Sequence, residues 1–216
     1  MKSKTISIWL PQVIFESALI VVSILVALGL DEWREDRQDD EVVRHALSNF
    51  FIEIQQNRTS VDDAAPFNEG LKNVLAGRYE GNDIGSVDEF VTMVESFVPA
   101  GLRSTAWETA LATGALAKMD YSLVSALSLT YGLQNRYIEA NRSGADELTS
   151  PQNIADDKLK LAVYNSIRYL ENMTRMEVEL REYYTLTLGL LAEELGEEFP
   201  DPAMPGEQYV KGASEP

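Results

Sequence analysis

The sequence has no cysteine and a single histidine, His45, and these absences exclude several classes of site. Without cysteine there is no disulfide, no iron–sulfur cluster and no cysteine-ligated zinc. One histidine also cannot supply the two Glu-x-x-His pairs of a di-iron bundle. Glu41 lies one helical turn before His45, and we interpret that pair as part of a polar face. The sequence therefore predicts no bound metal and no cofactor.

Positive charge is also scarce. Lys and Arg together number 18 against 35 Asp and Glu, which leaves a net charge of -17. Residues 1–30 carry only Lys2, Lys4 and Glu16, a net of +1, so residues 31–216 carry -18. Proteins that bind nucleic acids neutralise phosphates with Lys and Arg, so a surface this acidic predicts no nucleic-acid partner.

The motifs that usually mark catalysis are missing too. The chain contains no GxSxG, no P-loop and no GxGxxG, and one histidine leaves no Ser-His-Asp arrangement to test. Acids do cluster in the carboxy-terminal part, but helical runs of acids lack the convergent loop geometry of calcium sites. We interpret them as solvated surface, and the sequence predicts no enzyme. These acids are Glu177, Glu179, Glu182, Glu193, Glu194, Glu197 and Glu198.

What the sequence does contain is one long apolar run, Ile8–Leu30, bracketed by Trp9 and Trp33. As a helix it would extend roughly 34 Å at ~1.5 Å per residue, enough to cross a hydrocarbon core of ~30 Å. No small-x-small cleavage site followed by a loop appears, which disfavours a signal peptide. Nothing else in the chain is apolar enough to surround it as a core helix. The run therefore predicts an uncleaved transmembrane helix.

The positive-inside rule gives nearly equal support to the two possible orientations of this span. Lys2 and Lys4 lie on one side, and Arg34, Arg37 and Arg44 lie on the other within about 15 residues. A short basic tail without a domain of its own is easily left in the cytoplasm. We expect a single-pass protein of the bacterial inner membrane, with its amino terminus cytoplasmic and its carboxy-terminal domain periplasmic.

One face of the predicted span carries its polar and small side chains. On a helical wheel the face contains Gln12, Glu16, Ile20, Ser23 and Ala27, and Ser23 and Ala27 have the small-xxx-small spacing that lets two helices approach closely. An acid inside a membrane is costly and usually faces a partner. We expect this face to contact a second copy of the chain or another membrane protein. The alternative is that Glu16 lies close enough to the membrane surface to snorkel, or is protonated harmlessly.

Beyond the span the pattern stays helical, and no strand-like alternation of useful length appears. An apolar stripe runs from Val43 through Phe50 and Ile54 to Val61, on the side opposite Glu53 and other charges. The fold class predicted is all-α, with the transmembrane helix continuing into an elongated extramembrane helical bundle. The predicted parts are a basic tail at 1–7, the span at 8–30, the bundle at 31–198 and a disordered tail at 199–216.

Capping and breaking residues divide the bundle into helices. We expect the first helix to run to about Arg58 and a second to occupy 64–76, with Asp62 or Asp63 as its cap ahead of Pro66 and Gly77 at its end. The third, 87–97, opens at a Ser86 capping box, and the fourth runs from a capping box at Thr105 to Gly114. The fifth runs from Asp120 to about Arg142. The last, 152–196, has Ser150 and Pro151 at its start.

Two stretches together resemble a family of uncharacterised bacterial proteins with one amino-terminal span and a helical extramembrane domain. The family shows E-x-x-x-V-x-x-I-L-x-A-L-x-x-[DN]-x-W-x-[ED]-x-R, which residues Glu16 to Arg37 resemble. The family also shows a mid-chain T-W-x-x-L-x-x-S-G-x-L element. In this chain Thr105 and Trp107 correspond to the T-W pair, with one residue inserted between them, and Thr113-Gly114 corresponds to the S-G pair. The resemblance implies the anchor and the all-α fold and brings no activity with it.

The sequence leaves two functional classes open. The first is a membrane-anchored helical interaction or scaffold protein that assembles through its span. The second is an extramembrane ligand-sensing bundle with a pocket lined by Trp107, Tyr121 and Tyr131. Against the pocket stands a structural interpretation of the same region, in which Trp107, Leu111 and Leu116 form a hydrophobic wedge around a left-handed Gly114.

Overall fold

The computed structural model describes residues 9–148, 150 and 154–196. Within these ranges it describes the side chains except those of residues 9–14, 145–148 and 156. The basic tail at 1–7, the tail at 199–216, the proposed start of the last helix at Pro151 and the side chain of Gln12 therefore lie outside the described residues.

The all-α prediction is confirmed, since the described residues form helices and no strand. Three helices are long and two are short. They are α1 Trp9–Glu80, α2 Val87–Glu95, α3 Thr105–Thr113, α4 Tyr121–Leu148 and α5 Leu159–Leu195, with 3-10 turns at Ala115–Lys118 and Asp156–Lys158.

The chain divides into two compact units, residues 1–45 and 46–216. In the first unit, the described part is helical and its apolar side chains between Phe15 and Leu30 are exposed. In the part of the chain that the structure describes, no helix has the length and apolar character needed for a membrane crossing. The predicted span begins at Ile8, and its first seven side chains, 8–14, lie outside the described ones.

The predicted break after Arg58 is wrong, because α1 continues to Glu80 with Pro66 inside it. A proline within a helix removes one backbone hydrogen bond and crowds the preceding turn. Here the helix is buried on both sides of the proline. Val61 and Leu75 are fully buried, and Leu71 nearly so. Packing of this continuous buried face outweighs the lost bond, and most helical stability in proteins arises from such packing.

Three of the predicted caps are confirmed and the one at Thr105 is wrong. The Asp120 carboxylate accepts from the Ser122 and Leu123 N–H groups at the start of α4, at 2.8 and 3.3 Å. The Ser86 side chain accepts a hydrogen bond from the Glu89 N–H at 3.3 Å, and Gly114 ends α3 in the left-handed conformation with φ 73°. Residues with a Cβ rarely adopt that φ, which explains glycine there. The α3 N-cap is Ser104 rather than Thr105, and it makes no side-chain cap. A side chain from elsewhere in the fold takes that role, as described below.

The boundary between the last two helices also differs from the prediction. α4 extends to Leu148 rather than Arg142, and α5 begins at Leu159 rather than 152. A Cβ at Gly144 would overlap the Tyr169 ring, whose hydroxyl donates to Asn141 Oδ1 at 2.8 Å. Packing of Tyr169 on this glycine lets the last turns of α4 continue past the predicted end.

The second unit is built around α1, α4 and α5. One apolar cluster joins the end of α1 to α2 and the first half of α5. Its buried members are Leu71, Leu75, Phe90, Leu159, Ala162, Val163, Ile167 and Leu170. A second buried region, between residues 47 and 61 of α1 and residues 123–137 of α4, contains polar groups as well as apolar ones.

Candidate functional site

An extended segment between α2 and α3, residues 97–104, lies across the three long helices, and we call it the strap. It has no regular secondary structure, so its backbone N–H and C=O groups need partners of another kind. Polar side chains of α1 and α4 supply them. The contacts are Val98 O with Asn68, Ala100 N with Tyr137, Gly101 N with Ser60, and Arg103 N and O with Asn57 and Gln134.

At its carboxy-terminal end the strap is held by two buried amides. Asn57 accepts from Arg103 N at 2.9 Å and donates to Arg103 O at 2.8 Å, so one side chain binds both polar groups of a single residue. Gln134 donates to the same carbonyl oxygen at 2.8 Å. Its Oε1 accepts from Asn57 and from the Tyr184 hydroxyl, at 3.0 and 2.9 Å. This amide network therefore joins α1, α4 and α5 to the strap.

Glu53 of α1 lies just beyond this network and caps the next helix. Its Oε2 accepts from the Ala106 N–H at 3.0 Å, one of the first N–H groups of α3, which have no partner within their own helix. Its Oε1 accepts from the Tyr131 hydroxyl at 2.8 Å. A carboxylate at a helix amino terminus is also favoured by the helix dipole. Glu53 thereby replaces the capping box that the sequence predicted at Thr105.

The expected pocket residues do not come together as a group of three. The Trp107 ring stacks on the Tyr131 ring with centroids 5.5 Å apart, and Phe50 lies 5.9 Å from Tyr131. Tyr131 is fully buried, whereas Tyr121, at the first turn of α4, is 86% exposed. Of the proposed wedge, Leu111 is exposed. The space beside Trp107 is thus occupied by the protein's own aromatic rings.

The amino-terminal end of the strap is held at a second buried carboxyl group, Glu177 of α5. Asn68 Nδ2 donates to Glu177 Oε1 at 2.8 Å and to Val98 O at 3.2 Å. The Tyr137 hydroxyl donates to the same Oε1 at 3.0 Å and accepts from the Ala100 N–H at 3.0 Å. Both Glu177 and Asn68 are completely buried.

The tyrosines of these contacts act as fixed donors. Burial raises the pKa values of Tyr131, Tyr137 and Tyr184 well above the ordinary value. The carboxyl groups of Glu53 and Glu177 raise the pKa of Tyr131 and of Tyr137 further, because a phenolate would repel them. Each hydroxyl therefore keeps its proton and donates it to a neighbouring side chain.

These side chains bind the backbone of the strap and of α3. The two buried carboxyl groups, Glu53 and Glu177, are poorly placed to act together in acid–base catalysis. Asn68, which contacts Glu177, lies 15 residues after Glu53 on the same helix, or about 22 Å at ~1.5 Å per residue. Paired catalytic carboxyls of glycosidases lie about 5–10 Å apart. Among the described residues no group of three or more His, Cys, Asp or Glu is placed to hold a metal ion.

Sequence reasoning misplaced both carboxyl groups. Glu53 was expected on the polar face of the first helix and Glu177 in a solvated acidic cluster, but they are 7% and 0% exposed. A signal for this surface does exist in the sequence. Glu53, Asn57, Ser60 and Asn68 recur at helical spacing beside the apolar stripe, which marks a polar row along one side of α1.

The predicted membrane-contact residues lie in the first unit. Glu16, Ser23 and Ala27 are exposed in the single chain, and the Ser23 hydroxyl donates to Leu19 O at 2.8 Å within the helix. Gln12 is helical, and its side chain lies outside the described residues.

Comparison with known families, curated proteins and solved structures gives no match to this chain. The family resemblance drawn from the two motifs therefore stays a prediction.

Proposed function

We propose that this protein is a membrane-anchored helical interaction or scaffold protein without catalytic activity, whose span lies at residues 8–30. The observation that carries the proposal is the exposure of apolar side chains on all faces of the helix between Phe15 and Leu30. Ile20, Val21 and Val22 follow one another at 100° steps and are 60%, 55% and 58% exposed. A helix that packs on its own domain hides one side, and here no side is hidden.

A bilayer is the environment that suits this surface. Ten large apolar side chains between Phe15 and Leu30 are more than half exposed. Transfer of one such side chain from water to an apolar environment is favourable by about 1.5–3 kcal/mol when it becomes fully buried. Self-association would cover only one face, because helices pair along a stripe. The Ser23 hydroxyl is already bonded to the helix backbone, which reduces the cost of placing it in hydrocarbon.

The carboxy-terminal boundary of the span has features of a membrane interface. The Arg37 guanidinium lies over the Trp33 ring, 4.7 Å from its centroid, and Trp33 is exposed. Aromatic rings and basic side chains are enriched where a span meets the headgroups. Lys2 and Lys4 on the other side support a cytoplasmic amino terminus and a periplasmic bundle in the bacterial inner membrane.

We assign assembly to the face of Gln12, Glu16, Ser23 and Ala27 rather than to the stripe that follows the span. In the second unit Leu47, Phe50 and Ile54 are 4%, 0% and 0% exposed, since they pack inside the bundle. They cannot bind a partner while the bundle is folded. The remaining candidate for assembly is the face of Gln12, Glu16, Ser23 and Ala27, which a second copy or another membrane protein would cover.

The absence of cysteine makes this proposal simple to test, because a single introduced cysteine is the only thiol. Ser23→Cys and Ala27→Cys place it on the proposed face, and Leu25→Cys is the matched control about 160–200° around the helix. In membranes, mild oxidation should give a disulfide-linked dimer with the first two variants and little with the third. Equal crosslinking of all three would contradict the assigned face.

The anchor and the partner have separate tests. The full chain should stay in the membrane fraction after alkaline carbonate extraction, and its release into the supernatant would refute the span. Where no Cys variant crosslinks to a second copy, Glu16→Leu should release a co-purifying membrane protein that Leu25→Ile retains. Recovery of monomer alone from every variant would refute the interaction role.

A further inference from the structure

The contact between Asn68 and Glu177 is half of a recognisable hydrogen-bonded ring. An amide and a carboxylic acid can pair through two parallel bonds, amide N–H to carboxyl C=O and carboxyl O–H to amide C=O. The first bond is present, from Asn68 Nδ2 to Glu177 Oε1 at 2.8 Å. Both residues are 0% exposed, so bulk water is excluded from the pair.

The two atoms that would form the second bond are among four buried side-chain atoms of the described residues that have no hydrogen-bond partner, the other two being Ser166 Oγ and Arg181 Nε. Within the described residues, Asn68 Oδ1 and Glu177 Oε2 are buried and have no hydrogen-bond partner. Both are acceptors when the carboxyl group is ionised, and a buried acceptor without a donor costs about 1–3 kcal/mol. Glu177 Oε1, by contrast, accepts from both Asn68 and Tyr137. A single proton on Oε2 would supply the missing donor for both atoms.

We propose that Glu177 is a proton-binding site, and that in the folded protein its Oε2 carries a proton donated to Asn68 Oδ1. The proton closes the amide–acid ring and leaves Oε1 as the carbonyl oxygen that accepts from Asn68 and Tyr137. No charge is then buried at this end of the strap.

The groups around Glu177 allow this assignment. Burial is the largest influence and raises the pKa of Glu177, while the bonds from Asn68 and Tyr137 and the charge of Arg181 lower it, with a net rise. Arg181 Nε lies 2.7 Å from Asp62 Oδ1, so the charge of Arg181 is shared with an ion pair, although this contact lacks hydrogen-bond geometry. Tyr137 from α4 and Tyr169 from α5 also face this carboxyl group, and burial raises the pKa of each above the ordinary value.

Protonation of Glu177 makes the stability of the hydrogen bonds that hold the strap dependent on pH. Ionised Glu177 would place an unneutralised charge beside Asn68 and Tyr137, which hold Val98 and Ala100. A carboxyl group whose pKa is raised by folding contributes stability that is complete below the ordinary value of 4.5. That contribution falls as the pH rises and is lost above the raised pKa. In between, one proton is taken up on folding, so the folding equilibrium constant falls up to about tenfold per pH unit.

Glu177→Gln is the decisive variant, because its amide imitates the protonated acid. The new N–H can donate to Asn68 Oδ1, and the remaining oxygen can accept from Asn68 and Tyr137. Unfolding of the full chain in detergent should be measured from about pH 5 to pH 8. We expect the wild type to lose stability relative to this variant as the pH rises. A stability ratio that stays constant across that range would overturn the proposal.

Glu53→Gln is the matched control at the other end of the strap. Both Glu53 oxygens accept, from Ala106 N–H and from the Tyr131 hydroxyl, so an amide NH₂ there meets a donor. We expect this variant to be less stable than the wild type at each pH. A gain in stability at high pH equal to that of Glu177→Gln would show that the effect is general to buried acids and would refute the specific site.

Infrared spectroscopy detects the proposed proton on Glu177 in the wild-type protein, so the first result does not depend on how a variant folds. At about pH 6, glutamates with the ordinary pKa of 4.5 are ionised, so a neutral carboxyl C=O band in the wild type reports a protonated buried acid. The band should persist in Glu16→Leu, which removes the acid of the proposed span, and disappear in Glu177→Gln. Absence of the band in the wild type, or its loss in Glu16→Leu alone, would overturn the assignment.

Discussion

The two ends of the strap are held by the same residue types, a glutamate, an asparagine and a tyrosine, and they differ in how the carboxyl oxygens are used. At the carboxy-terminal end each Glu53 oxygen has one donor, and the nearby Asn57 uses both its N–H and its C=O. At the amino-terminal end Glu177 Oε1 has two donors, while Oε2 and Asn68 Oδ1 have none. At the first end both carboxyl oxygens have donors, whereas the second end is complete only with a proton.

This difference shows that burial alone does not define the role of an acid. Glu53 and Glu177 are both buried glutamates on long helices, and both face a tyrosine hydroxyl. The number and placement of donors around each oxygen distinguish them. A carboxylate is stabilised by donors on both oxygens, whereas a neutral acid needs an acceptor for its own proton.

The largest effect is expected from Glu53→Ala, which removes the helix cap and its second contact together. The Ala106 N–H and the Tyr131 hydroxyl would both lose their partner, at about 1–3 kcal/mol each, so we expect the free energy of unfolding to fall by about 2–6 kcal/mol. Chemical denaturation of the full chain in detergent measures it. At a pH where Glu177 is ionised, Glu177→Ala should cost less than Glu53→Ala, because it then also removes an oxygen without a donor. An equal or greater loss for Glu177→Ala would contradict the comparison.

The asparagines should differ in the same direction. Asn57→Ala removes hydrogen bonds to Arg103 N, Arg103 O and Gln134, at about 0.5–1.5 kcal/mol each, a loss of about 2–4 kcal/mol. At a pH where Glu177 is ionised, Asn68→Ala removes two donated bonds and one oxygen without a donor, so its loss should be smaller. Amide exchange at Arg103 should accelerate in Asn57→Ala and stay near the wild-type rate in Asn68→Ala. Similar rates in both variants would mean that the strap opens as one piece.

The two tyrosines should show smaller losses of stability, and here the larger loss is expected at the amino-terminal end of the strap. Tyr137→Phe loses a hydroxyl that both accepts from Ala100 and donates to Glu177, whereas Tyr131→Phe loses one donor to Glu53. We expect Tyr137→Phe to lower the free energy of unfolding by about 1–3 kcal/mol and Tyr131→Phe by about 1 kcal/mol. Thermal or chemical unfolding distinguishes them, and a larger effect at Tyr131 would place more weight on the Glu53 contact than its geometry suggests.

The smallest effect is expected at Glu179, two residues from Glu177 on the exposed side of α5. Its carboxylate lies 3.7 Å from Arg136, and both side chains are largely exposed. Exposed ion pairs contribute about 0–1 kcal/mol, so Glu179→Gln should change the free energy of unfolding by less than about 0.5 kcal/mol. A pH effect as large as that of Glu177→Gln would show that surface charge controls the pH dependence.

Much of the fold could be predicted from local signals. The all-α class, the Ser86 cap and the Gly114 stop follow from short-range backbone preferences and were confirmed. The break at Pro66 and the start of the last helix were wrong, because burial far along the chain outweighed those preferences. The strap was not predicted at all, since its backbone contacts join residues 30 to 46 positions apart and leave only a faint polar row in α1.

The sequence by itself determined the helical class and the apolar run at 8–30, because helix periodicity and hydrophobic length are local properties of the chain. Tertiary structure decided which polar residues are buried. Glu53 and Glu177 have the same chemistry as exposed acids such as Glu179, and nothing within a few residues distinguishes them. They are buried because the strap crosses the bundle there, and an irregular backbone excluded from water needs side-chain partners.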